Sequence, residues 1–166
     1  MSGTSENVEV RDDVASIALG DTLLFLWKAP ASLDRWKHQL NRMQRLAVGR
    51  AEGIVSLSFI LEGSTPPDAA LRREMQRDFG VLGTKLRRFI AVPLGGSLWL
   101  SVVRTIVRGV LIVSGQSRRQ RVCGSVREGL SEIRLAASLE TPSLEALQRG
   151  VAELGRALGM TASLAA

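Results

Sequence analysis

The 166-residue chain contains no tyrosine, one cysteine and one histidine, and its other aromatic residues are four phenylalanines and three tryptophans. A single cysteine excludes an intramolecular disulfide and any metal site built from several thiolates, which favours a reducing compartment. The scarcity of aromatic rings disfavours a stacking platform for single-stranded nucleic acid. The first residues lack the basic start and apolar core of a secretion signal, so we expect a cytoplasmic protein.

Acidic residues are missing from one long span of this basic chain, whose formal net charge is +6. No aspartate or glutamate occurs between Asp78 and Glu128, whereas lysine and arginine recur from Lys85 to Arg121. This basic 85–121 span could face an anionic membrane, nucleic acid or an acidic protein, or it could be a solvated surface. Charge alone leaves these alternatives open.

The chain offers few groups for chemistry. His38 is predicted on the polar side of its helix with only Asp34 nearby, which is typical of a surface residue rather than a general base. Cys123 falls in a short strand and is expected to be a buried core thiol. No cluster has metal-ligand spacing. We therefore predict no catalytic residue, metal, cofactor or small-molecule substrate.

Buried strand patterns alternate with helical patterns along the chain. Strands are predicted at 14–19, 22–29, 54–61, 89–94 and around 122–123, and helices at 32–49, 66–83, 97–115, 125–137 and 141–158. Gly20-Asp21 suits a tight hairpin between the first two strands. The order predicts a single-domain α/β fold with a mixed, mostly parallel sheet and an antiparallel N-terminal hairpin.

The same strand and helix patterns predict the boundaries of this domain. Residues 1–7 are expected to be disordered, 8–137 to form the domain, and 159–166 to be a frayed tail. Residues 138–158 contain an amphipathic helix whose leucine stripe packs either on the domain or on a partner.

The most apolar stretch of the chain is 97–115. On a helix its polar side chains fall within one arc of about 100°, which leaves most of the circumference apolar. A transmembrane role is disfavoured, because two arginines lie in mid-span and a two-residue turn precedes the helix. We predict an interaction surface here, with Trp99, Val103, Ile106 and Val110 on the side that the sheet cannot reach. Its candidate residues are Trp99, Val103, Arg104, Arg108, Arg118 and Arg119.

Two smaller sites are predicted at the turns before helices. Gly95, Gly96 and Ser97 lead from a strand into a helix and could hold an anion on free backbone N–H groups. Thr65 is predicted as the N-cap of the helix that begins at Pro66, with Asp68 closing a capping box. Ser64 and Thr65 would then place hydroxyl groups at a helix N-terminus.

The segment RRFIAVPLGGSLWLSVVRTIVRG, followed by RVCGSVREGL, resembles the STAS-like group of small bacterial proteins related to anti-sigma-factor antagonists. The resemblance covers about residues 14–137. It implies a STAS-like fold and a non-enzymatic regulatory or protein-interaction module. In the antagonists, a serine in an Asp-x-Ser-Gly turn is phosphorylated. That motif is absent here, and Glu62-Gly63-Ser64-Thr65 occupies the corresponding turn, so Ser64 and Thr65 are candidate regulatory hydroxyls.

We therefore expect a module that binds a protein partner, self-association as a homodimer included. The alternative is a module that binds lipid or an anionic membrane surface through the basic 85–121 span. Nucleic-acid binding is a third, less favoured expectation.

Overall fold

The computed structural model describes residues 8–113, 117–161 and 164, and no side chain at 97, 110–113 or 117. The predicted disorder of 1–7 and the predicted helical residues 114 and 115 lie outside the described residues. The strands are β1 (Glu9–Arg11), β2 (Val14–Leu19), β3 (Thr22–Trp27), β4 (Ile54–Leu61), β5 (Leu86–Leu94) and β6 (Gln120–Val122). The helices are α1 (Leu33–Ala47), α2 (Ala69–Leu82), α3 (Ser97–Val113), α4 (Val126–Leu135) and α5 (Leu144–Ala157).

The strands lie side by side in chain order from β1 to β6. β1, β2 and β3 pair antiparallel, and β3 to β6 pair parallel. The predicted mixed α/β sheet with an antiparallel N-terminal hairpin is thus confirmed. β1 was not predicted; Asp12 and Asp13 turn it back onto β2 with positive φ values of 48° and 61°, a conformation that aspartate tolerates better than most residues.

Helices α1, α2 and α3 lie on one face of the sheet, because each connects two parallel strands by a right-handed crossover in the same direction. Their core includes Trp36, Met43, Phe79 and, from the sheet, Phe25 and Phe89. We call this the crossover face. It contains all of the chain's tryptophans, since Trp27 belongs to this core and Trp99 lies on α3.

Helices α4 and α5 cover the opposite face, which we call the C-terminal face. Leu147, Val151 and Leu154 of α5 are fully buried against β2 and β3. The leucine stripe therefore packs on its own domain. Met160 and Leu164 also pack into this core, so the expectation of a tail frayed from 159 onward is wrong at those two residues.

The start of α2 corrects another prediction. The helix begins at Ala69, and the Asp68 side chain caps it by accepting a hydrogen bond from the Leu71 N–H at 2.8 Å. Thr65 is not the cap and Pro66 is not helical, because each residue that precedes a proline is pushed towards extended backbone. Two consecutive prolines, Pro66 and Pro67, therefore delay the helix by three residues. β5 also begins earlier than predicted, at Leu86 rather than 89.

Candidate functional site

A cavity of about 90 Å³ lies inside the crossover face, between the sheet and the three crossover helices. It lies towards the carboxyl ends of β3 and β4, where Trp27 and Ile60 border it. Its walls also include side chains from α1, α2, α3, β5 and the 64–67 turn: Trp36, Gln39, Leu71, Met75, Phe79, Ser64, Thr65, Pro66, Pro67, Phe89, Ala91, Trp99, Val103, Ile106 and Val107.

Bulky aromatic rings frame this cavity. The ring centroids of Trp36 and Phe79 are 5.3 Å apart, and those of Phe79 and Phe89 are 4.9 Å apart in an edge-to-face arrangement. Trp36 is fixed further, because its Nε1 donates to a carboxylate oxygen of the buried Asp78 at 2.8 Å. Such rings hold their positions through shape and hydrogen bonding. The cavity therefore has firm walls on the side of α1 and α2.

The polar atoms around the cavity are few, and most are already hydrogen-bonded. The Gln39 side-chain Nε2 donates to the Ser58 hydroxyl at 2.9 Å, and the Ser64 hydroxyl donates to the Ala29 carbonyl at 3.0 Å. Trp99 differs, since its buried Nε1 has no acceptor among the described residues. The cavity suits an apolar group, with little polar surface to orient it.

Helix α3 forms the outer wall of the cavity. Val103 is only 4% exposed, and Trp99 and Ile106 line the cavity beside it. These side chains therefore face the sheet and α2, which corrects the prediction that the sheet cannot reach them. The side chain of Val110, which was grouped with them, lies outside the described residues.

The outer side of α3 is partly apolar. Ser101, Thr105 and Arg108 are exposed, in agreement with the predicted polar arc. Leu98 and Val102, however, are also 80% and 41% exposed on that side. Among the predicted interaction residues, Trp99 and Val103 thus belong to the cavity, whereas Arg108 belongs to the outer surface.

The turn between β5 and α3 already contains a carboxylate. The exposed Glu62 accepts a hydrogen bond from the Gly96 N–H at 2.9 Å. A Cβ on Gly95 would lie 2.6 Å from the Glu62 Cβ and 2.8 Å from Trp99 Cδ1, so only glycine fits there. The position predicted for an external anion at Gly95, Gly96 and Ser97 is therefore taken by Glu62. The side chain of Ser97 is not described.

The two candidate regulatory hydroxyls lie in different environments. Ser64 is buried and donates to the Ala29 carbonyl, so a phosphoryl group could not reach it without opening the turn. Thr65 is exposed at the edge of the cavity. Because α2 begins at Ala69, neither hydroxyl lies at a helix N-terminus as predicted.

The basic 85–121 span divides into paired and unpaired side chains. Arg87 pairs with Asp21, and Arg88 and Arg121 lie 3.7 and 3.8 Å from a Glu132 oxygen. The other basic residues of the span have no ion pair within the described part of the chain: Lys85, Arg104, Arg108, Arg118 and Arg119. Arg119 instead donates to the Gly83 carbonyl at 2.9 Å, which joins the short 3₁₀ turns before β5 and after α3.

His38 and Cys123 occupy structural positions. His38 Nε2 lies 3.0 Å from a Glu9 oxygen on β1. Burial lowers the pKa of His38, although the Glu9 carboxylate acts in the opposite direction. Burial also raises the pKa of the Cys123 thiol to about 12, which keeps it protonated and unreactive. The described residues contain no group of side chains arranged to hold a metal ion.

No family model, curated protein or solved structure matches this chain. Across the described residues, none of the helices combines the length and the apolar character that crossing a bilayer requires.

The cavity is the feature that the sequence analysis missed. Trp27, Trp36 and Trp99 are far apart in the chain and lie on β3, α1 and α3. In the fold all three border one space. The chain has only three tryptophans, and this rarity was the one sequence signal that could have pointed to a shared site. Their convergence depends on the sheet order, which the sequence does not show directly.

Proposed function

We propose that this protein is a non-enzymatic binding module that takes up a small apolar molecule, or the apolar end of a larger one, in the cavity beneath α3. The observation that supports the proposal is the apolar cavity itself, bordered by every tryptophan of the chain. A dry cavity of about 150 Å³ is large enough for benzene. A space of about 90 Å³ is smaller than that, so it is suited to a short chain, and a ring the size of benzene requires α3 to move outward.

Tryptophan fluorescence provides the test, because all three indoles border the cavity. Toluene and n-hexanol are the probes, titrated against the whole chain and followed by fluorescence and by thermal unfolding. We expect a saturable change in emission and a rise in Tm, since a ligand that binds only the folded state stabilises it. The absence of both effects for both probes would overturn the proposal.

A matched pair of variants locates the binding. Ala91→Ile places three extra carbon atoms in the cavity from β5, and Ala152→Ile makes the same change on the exposed side of α5. Binding should be lost in Ala91→Ile and kept in Ala152→Ile. Equal binding by both variants would place the probes elsewhere and would contradict the proposal.

A second candidate function is contact with an anionic membrane surface, which the outer side of α3 favours. Leu98 and Val102 are exposed apolar side chains on a helix that also exposes Arg108. Interfacial helices combine an apolar side with basic residues in this way. The unpaired basic residues of the 85–121 span favour an anionic surface over a second copy of the chain, because two copies would bring like charges together.

Vesicle sedimentation tests this second candidate. Vesicles of phosphatidylcholine with phosphatidylglycerol should bind the protein at low ionic strength, and phosphatidylcholine alone should not. The double variant Leu98→Ser/Val102→Ser should weaken binding, whereas Leu139→Ser, a change at an exposed leucine between α4 and α5, should not. Equal loss in both variants, or a dimer in sedimentation velocity without vesicle binding, would contradict a membrane role.

A role as a regulatory protein-interaction module with a STAS-like fold is compatible with either binding mode. It rests on the sequence resemblance and stays a prediction. Cytoplasmic location likewise stays a prediction from the sequence.

A further inference from the structure

A second space lies between α1 and the edge of the sheet formed by β1 and β2. It has a volume of about 370 Å³ and shares no lining residue with the apolar cavity. Helix α1 connects β3 to β4, so β1 and β2 lie to one side of it. We call this space the arginine groove. Its lining residues are Glu9, Ala18, Leu23, Arg42, Arg45, Leu46 and Arg50.

Two of the three arginines in this groove are held in place. Arg42 is only 8% exposed and donates from Nη1 to a Glu9 oxygen at 2.5 Å. Arg50 donates to the Glu140 carboxylate at 2.9 Å and to the Leu46 carbonyl at 2.5 Å. Side chains that are already ordered lose little further freedom when a ligand binds, so these two guanidinium groups are ready to bind one.

The third arginine, Arg45, gives the groove its excess of positive charge. Arg45 is exposed and has no ion pair within the described residues, so the groove is open to solvent on this side. The other two guanidinium groups are each paired with one carboxylate. An arginine has five N–H donors, and Arg42 uses one of them among the described residues. The uncompensated charge and the spare donors both suit an anion.

The number of guanidinium groups favours a phosphate group over a carboxylate. A carboxylate has two oxygens and is fully engaged by one bidentate arginine, whereas a phosphate monoester has three terminal oxygens to share among several donors. A phosphate monoester also carries about 1.5–2 negative charges at pH 7. It therefore gains more than a carboxylate from a groove that holds three arginines.

We propose that the arginine groove binds the phosphate group of a phosphomonoester, with Arg42, Arg45 and Arg50 as its donors. The carboxylate of Glu9 shares Arg42 with the ligand and limits the affinity, because like charges repel. The site goes beyond the proposed function, since it lies outside the apolar cavity and takes a charged ligand. A soluble molecule and a lipid headgroup can both carry this group, and the experiment separates the two sources.

Three soluble probes with a three-carbon backbone test the ligand class. Glycerol 3-phosphate carries the phosphate group, D-glycerate carries a carboxylate, and glycerol is uncharged. Affinities are measured by calorimetry at constant ionic strength and pH 8, well above the second phosphate pKa of about 6. We expect glycerol 3-phosphate to bind about fivefold more tightly than D-glycerate, and glycerol to show no binding. Equal binding of the two anions would overturn the proposal.

Arg45→Gln and Arg156→Gln are a matched pair of variants. Both arginines are exposed, lie in the last turn of a helix and have no ion pair within the described part of the chain. Arg45→Gln should weaken binding of glycerol 3-phosphate about fivefold, and Arg156→Gln should leave it unchanged. Equal affinities in the two variants would contradict a site in the groove, because the ligand would then respond only to the net charge of the protein.

Glu9→Gln should change the affinity in the opposite direction. It removes the carboxylate that shares Arg42, so glycerol 3-phosphate should bind more tightly than to the wild type. Glu145→Gln is the control, since Glu145 also pairs with an arginine, Arg149, at 2.6 Å but lies on α5. The proposal fails if Glu9→Gln brings no gain, or if both variants bring the same gain.

Vesicles identify a lipid source of the phosphate group. Phosphatidic acid carries a phosphomonoester, whereas phosphatidylglycerol carries a phosphodiester of lower charge. Preferred binding to phosphatidic acid that Arg45→Gln weakens and Arg156→Gln does not would assign the group to a lipid, even if glycerol 3-phosphate does not bind. If neither source binds in this Arg45-dependent way, the proposal is rejected. Membrane contact through α3 gives a different result, because it depends on Leu98 and Val102 rather than on Arg45.

Discussion

The two faces of the sheet are closed in different ways. On the C-terminal face, glycines bring the helices into direct contact with the strands: a Cβ on Gly129 of α4 would lie 2.7 Å from a Val92 methyl, and one on Gly150 of α5 would lie 2.7 Å from a Leu19 methyl. On the crossover face, a cavity of about 90 Å³ lies between α3 and the sheet. Close contact between helix and sheet on one face thus contrasts with spare room on the other.

The side chains explain this difference. The C-terminal core is mostly aliphatic, and branched aliphatic side chains fill the small gaps between close backbones. The crossover core contains large rings, whose rigid shapes keep the helices away from the sheet and leave a space between them. The close packing of the C-terminal face is suited to hold the fold together, whereas the cavity of the crossover face leaves room between α3 and the sheet.

Each face also has a buried aspartate, and the two should contribute unequally to stability. Asp21, on the β2–β3 turn, pairs with Arg87 and accepts from the hydroxyls of Ser138 and Thr141 between α4 and α5, at 2.6 and 3.0 Å. Asp78, on the crossover face, pairs with Lys37 at 2.8 Å, and that lysine side chain is 40% exposed.

We expect Asp21→Ala to produce the largest loss of stability, about 3–5 kcal/mol, because it leaves a part-buried guanidinium without its counter-ion. Asp78→Ala should cost about 1–3 kcal/mol, since Lys37 can turn towards water and the main loss is the Trp36 hydrogen bond. Urea unfolding at pH 7 measures both. Equal losses, or a larger one for Asp78→Ala, would contradict a C-terminal face anchored by Asp21.

Two leucine truncations compare the packing directly. Leu147 of α5 is fully buried in the C-terminal core, and Leu71 of α2 borders the cavity. Leu147→Ala should cost about 2–5 kcal/mol. Leu71→Ala should cost less, because a side chain beside an empty space has fewer contacts to lose. Chemical denaturation of the pair decides this, and a larger cost for Leu71→Ala would mean that the cavity wall is as tightly packed as the opposite core.

The sequence predicted the fold much better than the site. Alternating strand and helix patterns, together with Gly20-Asp21, were enough for the mixed sheet and its antiparallel hairpin, because periodicity is a local property that burial imposes on every element. Helical spacing and the capping-box pattern also predicted Thr65 as the N-cap, and this prediction was wrong. Pro66 and Pro67 keep the residues before them in extended backbone, so the helix cannot begin there.

The cavity could not be predicted, because it depends on distances between elements. A helical wheel shows that Trp99 and Val103 share an apolar side of α3, but it does not show that α2 and β5 lie opposite that side. Nor does it show that Trp27 and Trp36 border the same space. These facts follow from strand order and from the size of the rings between the layers. Glu62 beside Gly96 was missed for the same reason, since 34 residues separate them.

A glycine substitution on α4 tests how closely this helix packs on the sheet, with a glycine substitution on α3 as its control. Gly129→Ala should destabilise the protein by about 1–3 kcal/mol, because the new methyl group would overlap Val92 and force α4 away from the sheet. Gly109→Ala makes the same change on the exposed side of α3, as a control, and should stabilise the protein by about 0.5–1 kcal/mol through helix propensity. Thermal unfolding should give Tm shifts of opposite sign, and a Tm of Gly129→Ala at or above that of the wild type would contradict close packing of α4 on the sheet.

The smallest expected effect is in the response to acid. Burial is the largest single influence on the pKa of Asp21 and raises it. The opposing effect of the hydrogen bonds is larger in total and holds this pKa below its ordinary value of 3.8; they come from Ser138, Arg87, Thr141 and Thr22. A carboxyl group with a lowered pKa stabilises the folded state above its unfolded pKa, and this contribution disappears as the pH falls through the folded pKa. The stability gap between the wild type and Asp21→Asn should therefore be constant from pH 7 to about pH 5 and narrow below pH 4. The narrowing is smaller than the full effect of Asp21→Ala, since the protonated carboxyl group keeps part of its hydrogen bonding.

Urea unfolding of both proteins between pH 3 and pH 7 measures this difference in the free energy of unfolding. A difference that stays the same down to pH 3 would show that the charge of Asp21 does not anchor the C-terminal face.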